Sequence, residues 1–208
     1  ILPGLLHMKN RIISTVLSAA FVMLANQLAY AEVSVTISKM HLCCGACVNG
    51  VEASIEKVEG ATVKVDRDAG SAAVTATDRK MARRALSAIA RAGFHGQTDN
   101  DKLKMPDNSG VKKGMTQRLE LVGIHNCCGG CNKAIKAAVA SVDGVQGDTA
   151  KAKRRTLVVE GNFDGLALVA ALNKAGFHVR SKDAAQEAAA ARKKKAEEKK
   201  TPETKASN

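Results

Sequence analysis

The sequence predicts an α+β chain of two tandem βαββαβ domains, each an antiparallel sheet with both helices on one face. Three observations lead to this prediction: an internal repeat, strands of alternating polarity, and an apolar helical stripe that follows a cysteine loop. The repeat includes every cysteine of the chain, because the six lie at positions 43, 44 and 47 and again at 127, 128 and 131. Duplicated sequence at one spacing indicates duplicated domains.

The repeat is clearest in two motifs. Residues 41–47, His-Leu-Cys-Cys-Gly-Ala-Cys, recur as residues 125–131, His-Asn-Cys-Cys-Gly-Gly-Cys. The motif Ala-Gly-Phe-His at residues 92–95 recurs at residues 175–178. We therefore predict one domain over residues 32–98 and a second over residues 116–182.

The first copy shows each element in order. Val33, Val35 and Ile37 alternate with polar residues, as expected of a half-buried strand. Apolar residues then recur at steps of three and four from Cys47 to Val58, which predicts one face of an amphipathic helix. The remaining predictions are strands at 61–66 and 72–77, a helix at 78–92 and a strand that starts at Phe94.

The second copy repeats this pattern with weaker alternation. Leu119 and Leu121 indicate its first strand, and a stripe that starts at Cys131 indicates its first helix. The remaining predictions are strands at 145–150 and 155–160, a helix at 163–175 and a strand that starts at Phe177.

Residues 1–31 are interpreted as a signal peptide whose start is Met8. Lys9 and Arg11 precede an apolar stretch, and small residues allow cleavage after Ala31. The alternative is a membrane anchor, but the apolar stretch over residues 12–24 is shorter than the roughly 20 residues of a spanning helix. This predicts a periplasmic or secreted protein, where disulfides can form.

The segments outside the two domains are polar. Residues 99–115 contain Pro, Asn, Ser and Gly and are predicted to form a flexible linker. Residues 183–208 are a tail rich in Ala, Lys and Glu, with no apolar stripe, for which we expect partial helicity at best.

The net charge of +12 raises the question of a nucleic-acid partner. No nucleic acid is expected, because after residue 31 the chain has three Phe and no Tyr or Trp on which bases could stack. We interpret the charge as a solvated surface, with Lys193 to Lys195 available to anionic wall or membrane groups.

The cysteine loops predict metal binding through sulfur. Each contains an odd number of thiols, which favours coordination over a disulfide framework. Thiols in the first turn of a helix are stabilised as thiolates, and thiolates select Cu(I), Hg(II) or Zn(II) over hard ions. The candidate ligands, with one site expected in each loop, are Cys43, Cys44 and Cys47 with His41, and Cys127, Cys128 and Cys131 with His125.

Two interpretations remain open for the first cysteine of each loop. Cys43 or Cys127 could join its neighbours and a histidine in the Cys₃His set that tetrahedral Zn(II) uses. Alternatively, each could be a small buried residue, because adjacent side chains point apart in extended backbone.

With these loops between a strand and a helix, each copy resembles the heavy-metal-associated domain. That family occurs in copper chaperones, in the N-terminal regions of metal-transporting P-type ATPases and in the periplasmic mercury-binding protein. The resemblance implies a ferredoxin-like fold, metal binding by the Cys-x-x-Cys pairs, and exchange with a metal-transporting membrane protein or another metal-carrying protein. The pairs are Cys44 with Cys47 and Cys128 with Cys131.

The loops depart from the Gly-Met-Thr-Cys-x-x-Cys pattern of that family, and this bears on the choice of ion. Histidine replaces Gly, Leu42 or Asn126 replaces Met, and a cysteine replaces Thr. Cu(I) is the favoured ion, and Zn(II) and Hg(II) are the alternatives.

Further residues have competing interpretations. His95 and His178 are either additional ligands near the metal loop or half-exposed strand residues. Phe94 and Phe177 are expected to be core residues or to shield the loop, as aromatic residues do in the resembling family.

The main functional alternative is a thiol–disulfide redox protein that uses the same Cys-x-x-Cys pairs. Such proteins usually carry the motif in a thioredoxin-like setting, which the predicted strand order does not match. No nucleophile with a base, phosphate-binding loop or paired acidic group is evident in the sequence, so we expect no enzymatic activity.

Overall fold

The computed structural model describes residues 32–200, with side chains for residues 32–197. The predicted signal peptide at 1–31 and the end of the tail lie outside the described residues. The first domain contains β1 (Val33–Ser38), α1 (Gly45–Ile55), β2 (Ala61–Asp66), β3 (Ser71–Ala76), α2 (Arg79–Arg91) and β4 (Gln97–Thr98). The second contains β5 (Met115–Val122), α3 (Gly129–Ala140), β6 (Val145–Asp148), β7 (Thr156–Asp164), α4 (Gly165–Lys174) and β8 (Arg180–Ser181), and is followed by α5 (Lys182–Lys200).

Both domains have the predicted ferredoxin-like topology. The strand orders are β2-β3-β1-β4 and β6-β7-β5-β8, and every pairing is antiparallel. The alternation in β1 buries Val35 and Ile37 against the helices, and the α1 stripe buries Cys47, Val51 and Ile55. The prediction of an α+β chain with two antiparallel sheets is therefore confirmed.

The second half of each domain differs in detail from the prediction. Phe163 is the buried penultimate residue of β7, whereas the sequence predicted a helix start there. The helix begins later because the side chain of Asp164 accepts a hydrogen bond from the backbone N–H of Ala167 at 2.9 Å. The last strands were also predicted too early, since β4 and β8 begin three residues after Phe94 and Phe177.

The segment 99–115 is packed against the domains, contrary to the expected flexible linker. Leu103, Met105 and Ser109 are buried. The carbonyl oxygen of Ser109 accepts a hydrogen bond from the N–H of Ser181, at the end of β8. Burial of two apolar side chains opposes detachment of the segment, because exposing each would cost about 1.5–3 kcal/mol.

The tail also differs from the prediction, because residues 182–200 form a helix. Its start is fixed by the hydroxyl of Ser181, which accepts a hydrogen bond from the N–H of Ala184 at 3.2 Å. Lys182 Nζ also contacts Glu120 Oε2 at 2.7 Å. No helix within residues 32–200 is both long and apolar enough to cross a membrane.

Candidate metal centre

Each cysteine loop joins the first strand of its domain to the first helix, as the sequence predicted. Cys44 and Cys128 immediately precede α1 and α3, with extended backbone at φ −156° and −146°. Cys47 and Cys131 lie in the first helical turn and are buried. Backbone N–H groups of a first turn lack intrahelical acceptors, so this position stabilises negative charge on sulfur.

The six cysteines form three pairs of equivalent residues in the repeat. The lead pair is Cys43 and Cys127, the cap pair is Cys44 and Cys128, and the inner pair is Cys47 and Cys131.

The two loops meet in one cluster of sulfur atoms, whereas the sequence suggested a separate site in each. The Sγ of Cys43 lies 3.4 Å from the Sγ of Cys128 and 3.4 Å from that of Cys131. The Sγ of Cys127 lies 3.5 Å from the cap sulfur and 3.7 Å from the inner sulfur of the first domain. The two inner sulfurs are 3.7 Å apart. All six cysteines are free thiols.

The domains are joined beside this cluster by the repeated Ala-Gly-Phe-His motif, whose backbone forms a short antiparallel bridge. Sequence reasoning found the repeat of this motif but missed its role. Both copies are needed, since each provides one edge of the bridge. The bridge pairs Phe94 with Phe177, and its hydrogen bonds run from His95 N–H to Gly176 O (2.9 Å) and from His178 N–H to Gly93 O (3.0 Å).

Arg155 adds a second link between the domains. Its Nη2 donates hydrogen bonds to the carbonyl oxygens of Arg91 and Ala92, at the end of α2, and to that of Gly123 in the second domain. A cation at this position also interacts favourably with the C-terminal end of the helix dipole.

We expect Arg155→Met to destabilise the protein by about 1 kcal/mol, because the exposed position screens part of the charge–carbonyl interaction. Urea unfolding of the metal-free, reduced protein would measure this change. Arg154→Met is the matched control, since it removes a neighbouring exposed arginine whose side chain makes none of these bonds. An equal effect of both substitutions would contradict the proposed link.

The loop histidines lie against the opposite domain. The ring of His41 is 4.7 Å from that of Phe177, and the ring of His125 is 4.2 Å from that of Phe94. The two phenylalanines therefore shield the loops, and each shields the loop of the other domain. The buried Nε2 atoms of His41 and His125 have no hydrogen-bond partner in the described part of the chain, which leaves them available as ligands.

His95 is partly exposed, as one of the two interpretations predicted, whereas His178 is not. Their rings stack in parallel with centroids 6.0 Å apart, and His178 is buried. Within residues 32–197, neither ring belongs to a cluster of three or more metal-binding side chains. The pair thus belongs to the domain interface.

The two inner thiols influence each other's protonation. A hydrogen bond from Cys131 lowers the pKa of Cys47 to about 2, and the same interaction raises the pKa of Cys131. Because the two residues are equivalent in the repeat, either can be the thiolate while the other donates. Partial desolvation by the surrounding loops raises the pKa of Cys43 to about 12, although part of this residue is exposed, and it also raises the pKa of Cys127.

The partly buried thiol of Cys128 is more acidic than an ordinary thiol. The backbone N–H of Cys131 lowers the pKa of Cys128 to about 6, with a further contribution from Cys43. A cluster that already holds thiolate charge attracts cations, and sulfur ligands favour soft or borderline ions.

Two ferredoxin-like domains with their cysteine loops at the first strand–helix junction define a soft-metal-binding module. The sequence matches the family of the heavy-metal-associated domain at residues 34–95 and at residues 121–178, and the chain belongs to this family. Members of this family bind heavy metals through such domains.

No curated protein matches the chain. Among solved structures, the chain is similar to the N-terminal soluble domains of Bacillus subtilis CopA, with 17% identity over 73% of this chain and 95% of that one, and a TM-score of 0.28.

Proposed function

We propose that this protein binds a soft metal ion outside the cytoplasm and carries or sequesters it, with Cu(I) as the favoured ion. The observation that carries this proposal is the convergence of six free thiols at Sγ–Sγ separations of 3.4–3.9 Å. Sulfur atoms this close together can bind one ion jointly after small side-chain rotations. Zn(II) and Hg(II) are the alternative ions.

The proposed transfer mechanism is ligand exchange. Cys43 is exposed, whereas Cys47 and Cys131 are buried. A thiolate of an incoming partner, either a metal-transporting membrane protein or another metal carrier, would therefore first reach the ion beside Cys43. The new sulfur would join the coordination sphere before an old one leaves, so the ion is never released into water.

The proposed location rests on residues 1–31. A cleavage after Ala31 would remove a basic and apolar segment and leave Glu32 as the first residue. N-terminal sequencing of the exported protein tests this, and retention of residues 1–31 would contradict it.

Metal uptake tests the proposed function directly. We expect the full chain, reduced and without oxygen, to retain at least one equivalent of Cu(I) after dialysis, because the thiolates converge on common points. A variant with all six cysteines changed to serine should retain none. Loss of copper from both proteins, as measured by elemental analysis, would contradict the proposal.

The two loop histidines distinguish the ions in the same experiment. A double substitution, His41→Ala with His125→Ala, should weaken Zn(II) binding, because tetrahedral zinc needs a fourth ligand beyond three sulfurs. Cu(I) binding should change little, since thiolates alone suit a low-coordinate ion.

Thiol–disulfide exchange is the second candidate function. It is favoured by the lowered pKa of Cys47 and by the 3.8 Å separation between its sulfur and that of Cys44. Turnover of a disulfide substrate by the metal-free protein, lost in Cys44→Ser and Cys128→Ser, would support this function over metal transport.

A further inference from the structure

We propose that the lead cysteine of each loop completes the metal site of the other domain, an inference that rests on the metal binding proposed above. In this arrangement the cap and inner cysteines of one domain bind an ion together with the lead cysteine of its neighbour. The first crossed site contains Cys43, Cys128 and Cys131, and the second crossed site contains Cys127, Cys44 and Cys47.

The sulfur positions define both crossed sites. In the first crossed site the three Sγ–Sγ edges are 3.4, 3.4 and 3.9 Å. In the second they are 3.5, 3.7 and 3.8 Å. The two triangles share no atom and together use all six sulfurs, and the repeat relates one to the other. The arrangement therefore provides two equivalent sites per chain.

The dimensions of these triangles suit a three-coordinate ion. With metal–sulfur bonds of about 2.3 Å, an ion at the centre of a sulfur triangle needs edges of about 4.0 Å. The observed edges of 3.4–3.9 Å need to lengthen by about 0.1–0.6 Å to reach this value, a movement that side-chain rotation can supply. The sites fit trigonal Cu(I) without displacement of either backbone loop.

A site made from the three cysteines of one loop fits less well. Cys43 and Cys44 are adjacent, and the extended backbone at Cys44 directs their side chains apart. In the described chain no sulfur hydrogen bond joins Cys43 to Cys44, or Cys127 to Cys128, although both lead sulfurs make such contacts across the domain interface. Each lead sulfur also lies near the inner sulfur of its own loop, at 3.8 Å for Cys43 and 3.6 Å for Cys127. Only across the interface does it contact both a cap sulfur and an inner sulfur.

Gly130 independently supports the first crossed site, whereas its counterpart in the first loop is Ala46. A Cβ placed on Gly130 would lie 3.2 Å from the Sγ of Cys43 and 3.6 Å from the Sγ of Cys128. The absence of a side chain at this position leaves the space that the lead sulfur of the first domain occupies inside the second loop.

The loop histidines occur beside the same two sites. A nitrogen of His41 lies within 4.8 Å of the sulfurs of Cys43 and Cys131, in the first crossed site. A nitrogen of His125 lies equally close to the sulfurs of Cys47 and Cys127, in the second. The group around His125 also includes Cys131, so the histidines draw cysteines from both domains, unlike the Cys₃His sets within one loop that the sequence suggested.

Two double variants that share one substitution test this inference. Cys43→Ser with Cys128→Ser affects only the first crossed site. Cys43→Ser with Cys44→Ser affects both crossed sites, but only one site if each loop binds its own ion. Cys44 and Cys128 are partly buried residues at equivalent positions, so the two variants are matched, and a thermal unfolding curve of each checks folding.

The readout is the number of sulfur neighbours of copper, measured by X-ray absorption with one equivalent of Cu(I) per full chain. We expect three sulfurs in wild type and in the variant of Cys43 and Cys128, with unchanged affinity in competition with a Cu(I) chelator. For the variant of Cys43 and Cys44 we expect two sulfurs and an affinity lower by roughly tenfold or more.

The opposite ranking of the two variants would overturn the crossed sites in favour of sites within each loop. Equal coordination in both variants would also overturn them. Either result leaves the proposed metal binding intact, whereas a wild-type chain that retains no copper would contradict the proposed function itself.

Discussion

Gly93→Ala is expected to reduce the coordination of bound Cu(I) from three sulfurs to two without changing any cysteine. Gly93 has φ +100°, and an added Cβ would collide with the backbone N of His125 and the carbonyl oxygen of Gly123. These atoms belong to the second domain, so the collision would separate the domains. The Cys-x-x-Cys pair of each domain would remain, while every sulfur contact between domains would be lost.

The measurement is X-ray absorption of the Cu(I)-loaded full chain, with unfolding by urea on the metal-free form. Gly60→Ala is the matched control, because Gly60 also has a positive φ of +73° but its Cβ would meet only the side chain of Thr77 in the same domain. Both variants should lose about 1–3 kcal/mol from backbone strain. Only Gly93→Ala should lose the third sulfur, and an unchanged copper site in that variant would contradict the role of the interface.

Acid is expected to destabilise the metal-free protein by about 3 kcal/mol through His178. Burial lowers the pKa of His178 to about 4, and nearby His95 and Arg180 contribute in the same direction. Neither ring nitrogen of His178 has a hydrogen-bond partner among the described residues. The folded protein thus keeps this ring neutral, while the unfolded chain binds a proton near pH 6.5.

The direction of the change in stability with pH follows from this difference in proton binding. The contribution of His178 to the free energy of unfolding is complete above about pH 6.5. It is lost as the pH falls towards 4, because the unfolded state then binds more protons than the folded state. His178→Phe keeps an aromatic ring but cannot bind a proton, so its free energy of unfolding should fall less between pH 7 and pH 4. The comparison requires urea unfolding of reduced, metal-free protein at both pH values. Equal acid sensitivity of the variant and wild type would contradict this explanation.

The fold could be predicted from sequence because its signals are local. The alternation of Val33, Val35 and Ile37 and the stripe from Cys47 reflect which residues face the core, and both recur in the second copy. The two-residue strands β4 and β8 were misplaced because they are too short for an alternating pattern. The helicity of the tail was underestimated because the tail has no apolar stripe. The hydrogen bond that Ser181 accepts at the start of this helix does not depend on apolar residues.

The composition of the candidate site was predictable, whereas its arrangement was not. Residue types and spacing identified the cysteines and the loop histidines. The meeting of the two loops depends on contacts between residues more than 80 positions apart, such as the bridge of Phe94 with Phe177. A single sequence does not indicate which surfaces of two small domains face each other. The identical Ala-Gly-Phe-His motifs were the one available signal, since a symmetric contact uses the same residues twice.

The packed connection between the domains affects how the affinity for metal depends on dilution. Leu103 and Met105 hold residues 99–115 against the core, so the second loop stays close to the first at any protein concentration. In the proposed crossed sites the third sulfur is therefore present at a high effective concentration, as in a chelate, and the entropy lost in bringing it near the ion is lost during folding. Two unlinked modules would need a bimolecular encounter to make the same bond. The affinity of this chain for its ion should therefore not change when the protein is diluted.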